Sequence, residues 1–98
     1  MPGCIMYVIV AFDVSEENVR GRLRRFLRSL GLSMVNRSVY AGVGGQNIAE
    51  EIREKVREIV GERDSVFIIL VQEHEYLRAT ICTNMDCKKI EEISYDIV

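Results

Sequence analysis

Asp13 is the acidic residue whose position in this sequence most strongly suggests chemistry. It directly follows a continuous apolar, β-branched run over residues 4–12, and ligands of α/β proteins gather at the carboxyl ends of buried strands. One carboxylate is a poor site for a hard cation, but two copies of Asp13 near the twofold axis of a dimer could hold one divalent ion. An aspartate that only enters a turn or a helix would occupy the same position, so both interpretations stay open.

Arginines form the second candidate group. Between Glu16 and Arg37 the sequence has six arginines and two glutamates, whereas from Glu73 onward it has six acids and three basic residues. The planar guanidinium group matches phosphate oxygens, which favours contact with a nucleic-acid backbone; the alternative is an ordinary solvated helix face. The arginines that we assign to backbone contact are Arg20, Arg22, Arg24 and Arg28.

The cysteines and the histidine suggest less chemistry. An odd number of cysteines argues against a disulfide scaffold. Cys82 and Cys87 have no second pair to complete a zinc site, and His74 is the only histidine, so neither structural zinc nor a Cys–His nucleophile is supported. We expect Cys4 to lie in the core and His74 to be solvated.

Three extended segments are predicted to position these residues. Residues 4–12 and 65–72 are apolar on both faces, which is typical of strands that are covered on both faces. Residues 32–43 also favour strand, with a tight turn at 37–38. Two amphipathic helices separate these segments. We expect Ser15 to cap the first helix and Gly31 to end it.

The tail is predicted to add to this core. Residues 73–77 are expected to turn the chain, and residues 78–83 to return as an extra strand. The order β-α-β-β-α-β is that of an α+β, ferredoxin-like domain over residues 1–83, and residues 84–98 form a tail with a possible edge strand. In this fold the helices cover one sheet face only. We therefore expect a second copy of the chain to cover the other face.

Composition limits the class of protein. With 98 residues, 48% hydrophobic and 29% charged, the chain is neither disordered nor of low complexity, and it has the size of one domain. No apolar stretch approaches the roughly 20 residues of a membrane span. The sequence also shows no basic leader with a cleavage site, so we expect a cytoplasmic location.

Several motifs in order resemble a known family. They are the segments 6–14 (MYVIVAFDV), 36–42 (NRSVYAG) and 64–66 (DSV), together with the arginine-rich first helix. The set resembles the second Cas protein family, the small CRISPR-associated endoribonuclease-like subunit of the spacer-acquisition complex. The resemblance implies a sheet-to-sheet homodimer, magnesium as cofactor, nuclease activity on RNA or DNA, and an integrase subunit and spacer DNA as partners.

The resemblance also implies roles for single residues. Asp13 would hold the metal ion from both chains and would be catalytic, with Phe12 at the adjoining aromatic position. Arg20 matches a basic position early in the first helix. Ser38 and Tyr40 match a Ser-Val-aromatic element, and these two residues with Phe12 would support the site.

Two residues depart from the family pattern. Met34 stands where many relatives have a basic residue, and Ala41 stands where an acid often follows the aromatic residue.

From the resemblance as a whole we expect a CRISPR adaptation protein that acts as a metal-dependent endonuclease and bridges integrase subunits. The alternatives are a non-catalytic nucleic-acid-binding scaffold and a small-molecule-sensing dimer, which would need a polar pocket without a basic face.

Overall fold

The computed structural model describes residues 4–93, and these fold into six strands and four helices. Their order along the chain is β1 (Met6–Asp13), α1 (Glu17–Ser29), β2 (Ser33–Asn36), β3 (Val39–Val43), α2 (Gln46–Ile59), β4 (Ser65–Gln72), α3 (Glu73–Leu77), β5 (Thr80–Cys82), β6 (Cys87–Lys89) and α4 (Ile90–Ile93). No helix in this part of the chain is both long and apolar enough to cross a membrane.

The first four strands form one antiparallel sheet in the order β2-β3-β1-β4. The central strand β1 pairs with β3 on one side and β4 on the other, so that Val10 lies opposite both Tyr40 and Ile68. This strand order, with α1 and α2 as the connecting helices, is that of a ferredoxin-like fold. The predicted α+β class is confirmed.

Side-chain alternation along β1 divides the sheet into two faces. Residues 8, 10 and 12 point to the core, where they meet buried residues of both long helices. The core residues buried to 5% exposure or less are Val8, Val10, Phe12, Val14, Leu23, Leu27, Leu32, Tyr40, Ala41 and Ile52. Gly31 follows α1 with a φ of 95°, as expected for the residue after a helix.

Residues 4–93 cover the second sheet face at one end only. The Tyr7 and Tyr76 rings stack with centroids 4.4 Å apart, which docks α3 on this face. An apolar cavity of about 300 Å³ lies between the sheet and the segment from α3 to α4. Farther along the same face Phe67 and Ile69 are 61% and 39% exposed. The chain therefore covers part of the face that we expected a second copy to cover.

The region after β4 differs from the sequence prediction. Residues 73–77 form the helix α3 rather than a simple turn, and β5 pairs with β6 in a separate hairpin instead of joining the main sheet. Residues 90–93 form α4, and residues 94–98 lie outside the described residues, so the edge strand at the end of the tail stays a prediction.

The cysteines also differ from expectation. Cys82 and Cys87 face each other across the β5–β6 hairpin with Cα atoms 4.0 Å apart and form a disulfide that the odd cysteine count did not predict. Cys4 is exposed rather than in the core, because the strand begins only at Met6. The disulfide closes a hairpin whose neighbours Ile81 and Ile90 line the apolar cavity.

A candidate metal and phosphate site at the end of the first strand

The carboxyl end of β1 opens into a polar cleft of about 390 Å³, which we call the Asp13 cleft. Several residues that the sequence suggested separately, among them Asp13, Arg20 and Arg24, meet there. The lining residues are Phe12, Asp13, Val14, Glu17, Arg20, Arg24, Arg37 and Ser38. Three guanidinium groups and two carboxylates thus share one surface depression.

Asp13 is the carboxylate that is free to bind a ligand. It is exposed, its backbone pairs with Ser65 of β4, and its side chain has no hydrogen bond or ion pair among the described residues. Because odd-numbered residues of β1 point away from the core, Asp13 lies on the same sheet face as the exposed Phe67 and Ile69. A second sheet packed on that face would therefore approach Asp13.

Glu17, the other carboxylate of the cleft, already has partners. Arg20 donates from Nε to Oε1 at 3.0 Å and also from Nη2, and Arg24 Nη1 lies 3.5 Å from Oε2. The hydrogen bond and charge of Arg20 lower the pKa of Glu17, so this carboxylate is ionised and neutralised by its neighbours.

The described part of one chain offers an incomplete ligand set for a divalent cation. Within residues 4–93 no group of three or more His, Cys, Asp or Glu side chains is arranged to hold a metal ion. Magnesium prefers oxygen ligands, and proteins commonly bind this ion through one or two carboxylates together with waters and phosphates. One Asp13 therefore fits as part of such a site, with the remaining oxygens supplied by a second Asp13, water or a phosphate.

Arg20 fastens the chain that leaves β1. Its Nη1 donates to the carbonyl oxygens of Val14 at 2.8 Å and Ser15 at 3.2 Å, in addition to its contacts with Glu17. A phosphate contact by Arg20 would have to share these donors. Arg20 therefore positions the segment between β1 and α1 at the edge of the cleft. Its contact with a nucleic-acid backbone stays a prediction.

The other arginines of α1 are divided between two surfaces. Arg24 lines the cleft, and its buried Nε has no partner within the described chain. Arg28 lies over the Tyr40 ring, 5.7 Å from its centroid, and neither Arg28 nor the exposed Arg22 lines the cleft. Arg20, Arg24 and Arg28 are spaced four residues apart, and each step of four residues turns about 40° more than one full helical turn. Their side chains therefore point progressively away from Asp13 along α1.

The aromatic residues that the resemblance assigned to the site are core residues. Phe12 and Tyr40 are 5% and 0% exposed, and their ring centroids are 6.1 Å apart. The Tyr40 hydroxyl is buried without a partner among the described residues. Both rings belong to the core cluster that also contains Leu23 and Leu27 of α1. Met34, by contrast, lines the apolar cavity and places no group in the Asp13 cleft.

The turn between β2 and β3 forms the opposite wall of the cleft. The Phe12 amide donates to the Ser38 carbonyl at 2.9 Å, and the Ser38 amide donates to Asn36 Oδ1 at 2.9 Å. The predicted tight turn at 37–38 is confirmed. Sequence reasoning placed Ser38 at the site but missed Arg37. The pairing of β1 with β3 brings this turn beside Asp13. Anticipating that pairing would have identified Arg37 as a residue of the cleft.

A side chain just before β4, whose first residue pairs with Asp13, holds the segment after Asp13. Asp64 accepts hydrogen bonds from the backbone amides of Gly61 at 2.8 Å and Ser15 at 3.2 Å, and these bonds lower the pKa of its carboxyl group. Ser15 was expected to cap α1, but its hydroxyl lies 3.4 Å from Asp64 and the helix begins at Glu17 without a side-chain cap. Ser15 thus bonds to Asp64, which is distant in the sequence, instead of capping α1.

Comparisons with known proteins agree on one family. The family model described as CRISPR associated protein Cas2 matches residues 6–79. The CRISPR-associated endoribonuclease Cas2 of Thermofilum pendens is 53% identical over 92 residues, which cover 94% of this chain and 99% of that protein. A CRISPR-associated endonuclease Cas1/endonuclease Cas2 fusion of Thermoproteus tenax is 36% identical over 55 residues, or 56% of this chain and 21% of the fusion. A crystal structure of Cas2 superposes with a TM-score of 0.59 at 32% identity, covering 67% of this chain and 74% of that one.

Proposed function

The chain belongs to the CRISPR-associated Cas2 family, and from that premise we propose that it is a dimeric, magnesium-dependent endonuclease subunit of CRISPR adaptation. Its substrate is a phosphodiester of RNA or DNA. The name of the Thermofilum pendens relative, an endoribonuclease, supports the reaction class. The observation that carries the proposal is the free Asp13 carboxylate beside arginine side chains in one cleft.

The groups of the Asp13 cleft suit phosphodiester hydrolysis. A bound magnesium ion supplies an activated water and stabilises charge on the phosphate. Asp13 would hold that ion, because its oxygens are unpaired and face outward. The arginine side chains would orient the backbone phosphate and counter the negative charge that develops on it. Arg20 keeps the connection between β1 and α1 in place, so that Asp13 is presented at a fixed position.

A second copy of the chain would complete the site. The uncovered part of the second sheet face carries the apolar side chains Phe67 and Ile69, and Asp13 lies at the end of the same face. Packing two such faces together would remove apolar surface from water and bring both Asp13 residues toward the twofold axis. Two carboxylates, waters and a substrate oxygen then make an oxygen-rich site of the kind that magnesium prefers.

The proposed cellular role is to bridge integrase subunits during spacer acquisition. The Thermoproteus tenax relative joins Cas1 and Cas2 in one chain, which supports a Cas1 integrase as the partner of this protein. A dimer would offer the same surface twice, once to each partner. The proposed location of this assembly is the cytoplasm.

A non-catalytic scaffold is the second candidate. The absence of a three-residue acidic cluster within residues 4–93 favours it, because one chain contributes a single free carboxylate to the cleft. In that case the arginines bind the nucleic-acid backbone, and magnesium is not needed. A small-molecule-sensing dimer has less support, since three arginines line the polar cleft.

The test is cleavage by Asp13→Asn with and without magnesium. The substitution keeps the size of the side chain and removes its charge, so the variant should lose cleavage while it still binds RNA and DNA. Asp86→Asn is the matched control, because Asp86 lies in the β5–β6 loop outside the cleft. Cleavage by Asp13→Asn at the parental rate would contradict the proposal. A parent protein that binds nucleic acid but cleaves neither RNA nor DNA with magnesium would favour the scaffold.

A further inference from the structure

We propose that Arg37, on the turn between β2 and β3, is the principal phosphate-binding residue of the Asp13 cleft. The inference rests on the proposed function, and it names the group that contacts the nucleic-acid backbone. It differs from the sequence prediction, which assigned backbone contact to four arginines of α1.

Most guanidinium donors of Arg20 in the cleft are already occupied, whereas those of Arg37 are free within residues 4–93. Nε, Nη1 and Nη2 of Arg20 all donate to oxygens of its own chain. Arg24 lies 3.5 Å from Glu17 through Nη1, and its Nε is buried. Arg37 is exposed and has no hydrogen bond or ion pair within residues 4–93. It is therefore the cleft arginine whose full donor set can reach a phosphate without breaking an existing contact.

Two hydrogen bonds hold the turn that presents Arg37. The Ser38 carbonyl accepts from the Phe12 amide at 2.9 Å, and the Ser38 amide donates to Asn36 Oδ1 at 2.9 Å. One bond ties the turn to the strand that carries Asp13, and the other closes the turn on itself. A fixed backbone reduces the entropy that is lost when Arg37 becomes ordered on a ligand.

The distribution of charge in the cleft also favours Arg37 as the phosphate ligand. Glu17 offsets one of the two positive charges of Arg20 and Arg24, and both guanidinium groups are already paired with it. Asp13 is free to bind a cation, and Arg37 contributes a positive charge on the facing wall. A phosphodiester placed between them could contact an Asp13-bound cation with one oxygen and Arg37 with the other. The planar guanidinium fork fits two such oxygens.

The experiment is a salt titration of nucleic-acid binding in EDTA, which prevents metal-dependent cleavage. The probes are a duplex DNA and a single-stranded RNA. The variants are Arg37→Ala, Arg37→Lys and, as a control, Arg57→Ala. Arg57 is an exposed residue in the last turn of α2 that lines neither the cleft nor the apolar cavity, so its removal subtracts the same charge elsewhere.

We expect Arg37→Ala to weaken binding of both probes by about tenfold. The slope of log K against log salt should fall by about 0.9 for the duplex and about 0.7 for the single strand, as for one lost phosphate contact. Arg37→Lys should keep the slope with an intermediate affinity. Arg57→Ala should match the parent, and all variants should keep the parental melting temperature and oligomeric state.

Three results would overturn the inference. Equal affinities and slopes for Arg37→Ala and Arg57→Ala, with a parent that binds, would remove Arg37 as a phosphate ligand and leave the proposed function standing. A change in oligomeric state in Arg37→Ala would show that the residue pairs with a second chain instead. A parent that binds neither probe, in EDTA or with magnesium, would refute both the inference and the proposed function.

Discussion

The two ends of β1 are built in opposite ways. At the carboxyl end the Asp13 cleft is polar, and its walls are held by hydrogen bonds such as those from Arg20 to the Val14 and Ser15 carbonyls. At the amino end Tyr7 stacks on Tyr76 beside an apolar cavity. Hydrogen bonds at the carboxyl end fix the positions of the cleft walls and leave Asp13 exposed. Apolar contacts at the amino end stabilise the fold, but they bury the side chains that make them.

We expect stability and ligand binding to be separable in this molecule, because the Tyr7–Tyr76 stack and the Asp13 cleft lie at opposite ends of β1. Burial and the neighbouring Tyr7 raise the pKa of Tyr76, as expected where a phenol is removed from water. At the other end the pKa values of Glu17 and Asp64 are lowered, because both carboxylates accept hydrogen bonds. Between the ends lies the uncovered stretch of Phe67 and Ile69, which is available to a second chain.

The largest effect is expected from Ile69→Asp, which places a charge in the uncovered stretch. Burying that unpaired charge in the proposed interface costs several kcal/mol, so the proposed dimer should dissociate at least about 100-fold more readily. The single chain should stay folded, because Ile69 is already 39% exposed in it. Light scattering over a concentration series measures the change.

Met85→Asp is the matched control, since Met85 is 86% exposed on the β5–β6 hairpin. It introduces the same charge away from the main sheet and should leave the dimer unchanged. An Ile69→Asp variant that dimerises as tightly as the parent would show that this face is not the interface.

A smaller effect is expected from Tyr76→Ala, which removes the stack that docks α3. The lost burial and ring contact should lower the free energy of unfolding by about 2 kcal/mol. Tyr76→Phe keeps the ring and should stay close to the parent in guanidinium denaturation. Nucleic-acid binding at the Asp13 cleft should be the same in both variants, and a loss of binding in Tyr76→Ala alone would show that the two ends are coupled.

The smallest effect is expected from Asp64→Asn, and it should depend on pH. The folded pKa of Asp64 lies below the unfolded value of about 3.9, so its contribution to stability is present above that value and is lost as the pH falls through the folded pKa. The variant should melt slightly below the parent at pH 7, and the two melting temperatures should converge in strong acid. A difference that persists at the lowest pH would mean that the charge of Asp64 is not responsible.

Much of the fold could be predicted because it follows from periodicity. The apolar runs in β1 and β4 and the stripes of the two long helices determine the layers, and their order along the chain determines the sheet. Asp13, Arg20 and Arg24 could be placed near one another because strand end and helix start adjoin in sequence. Catalysis, metal binding and the dimer remain predictions.

The features that sequence reasoning missed depend on tertiary pairing. Arg37 has no periodic signal, and it reaches the cleft because β3 pairs with β1. The bond between Cys82 and Cys87 depends on the register of a short hairpin that few side chains specify. Ser15 was predicted from local sequence, but Asp64, distant in the chain, bonds to it instead.

We propose that two chains share one cation through their Asp13 residues, and the stoichiometry of Mn²⁺ binding is the direct test of this arrangement. Mn²⁺ takes the same oxygen ligands as magnesium and can be followed by calorimetry or by its paramagnetic resonance. We expect one ion for every two chains in the parent and none in Asp13→Asn, with Asp86→Asn equal to the parent. One ion per chain, or unchanged binding by Asp13→Asn, would contradict it.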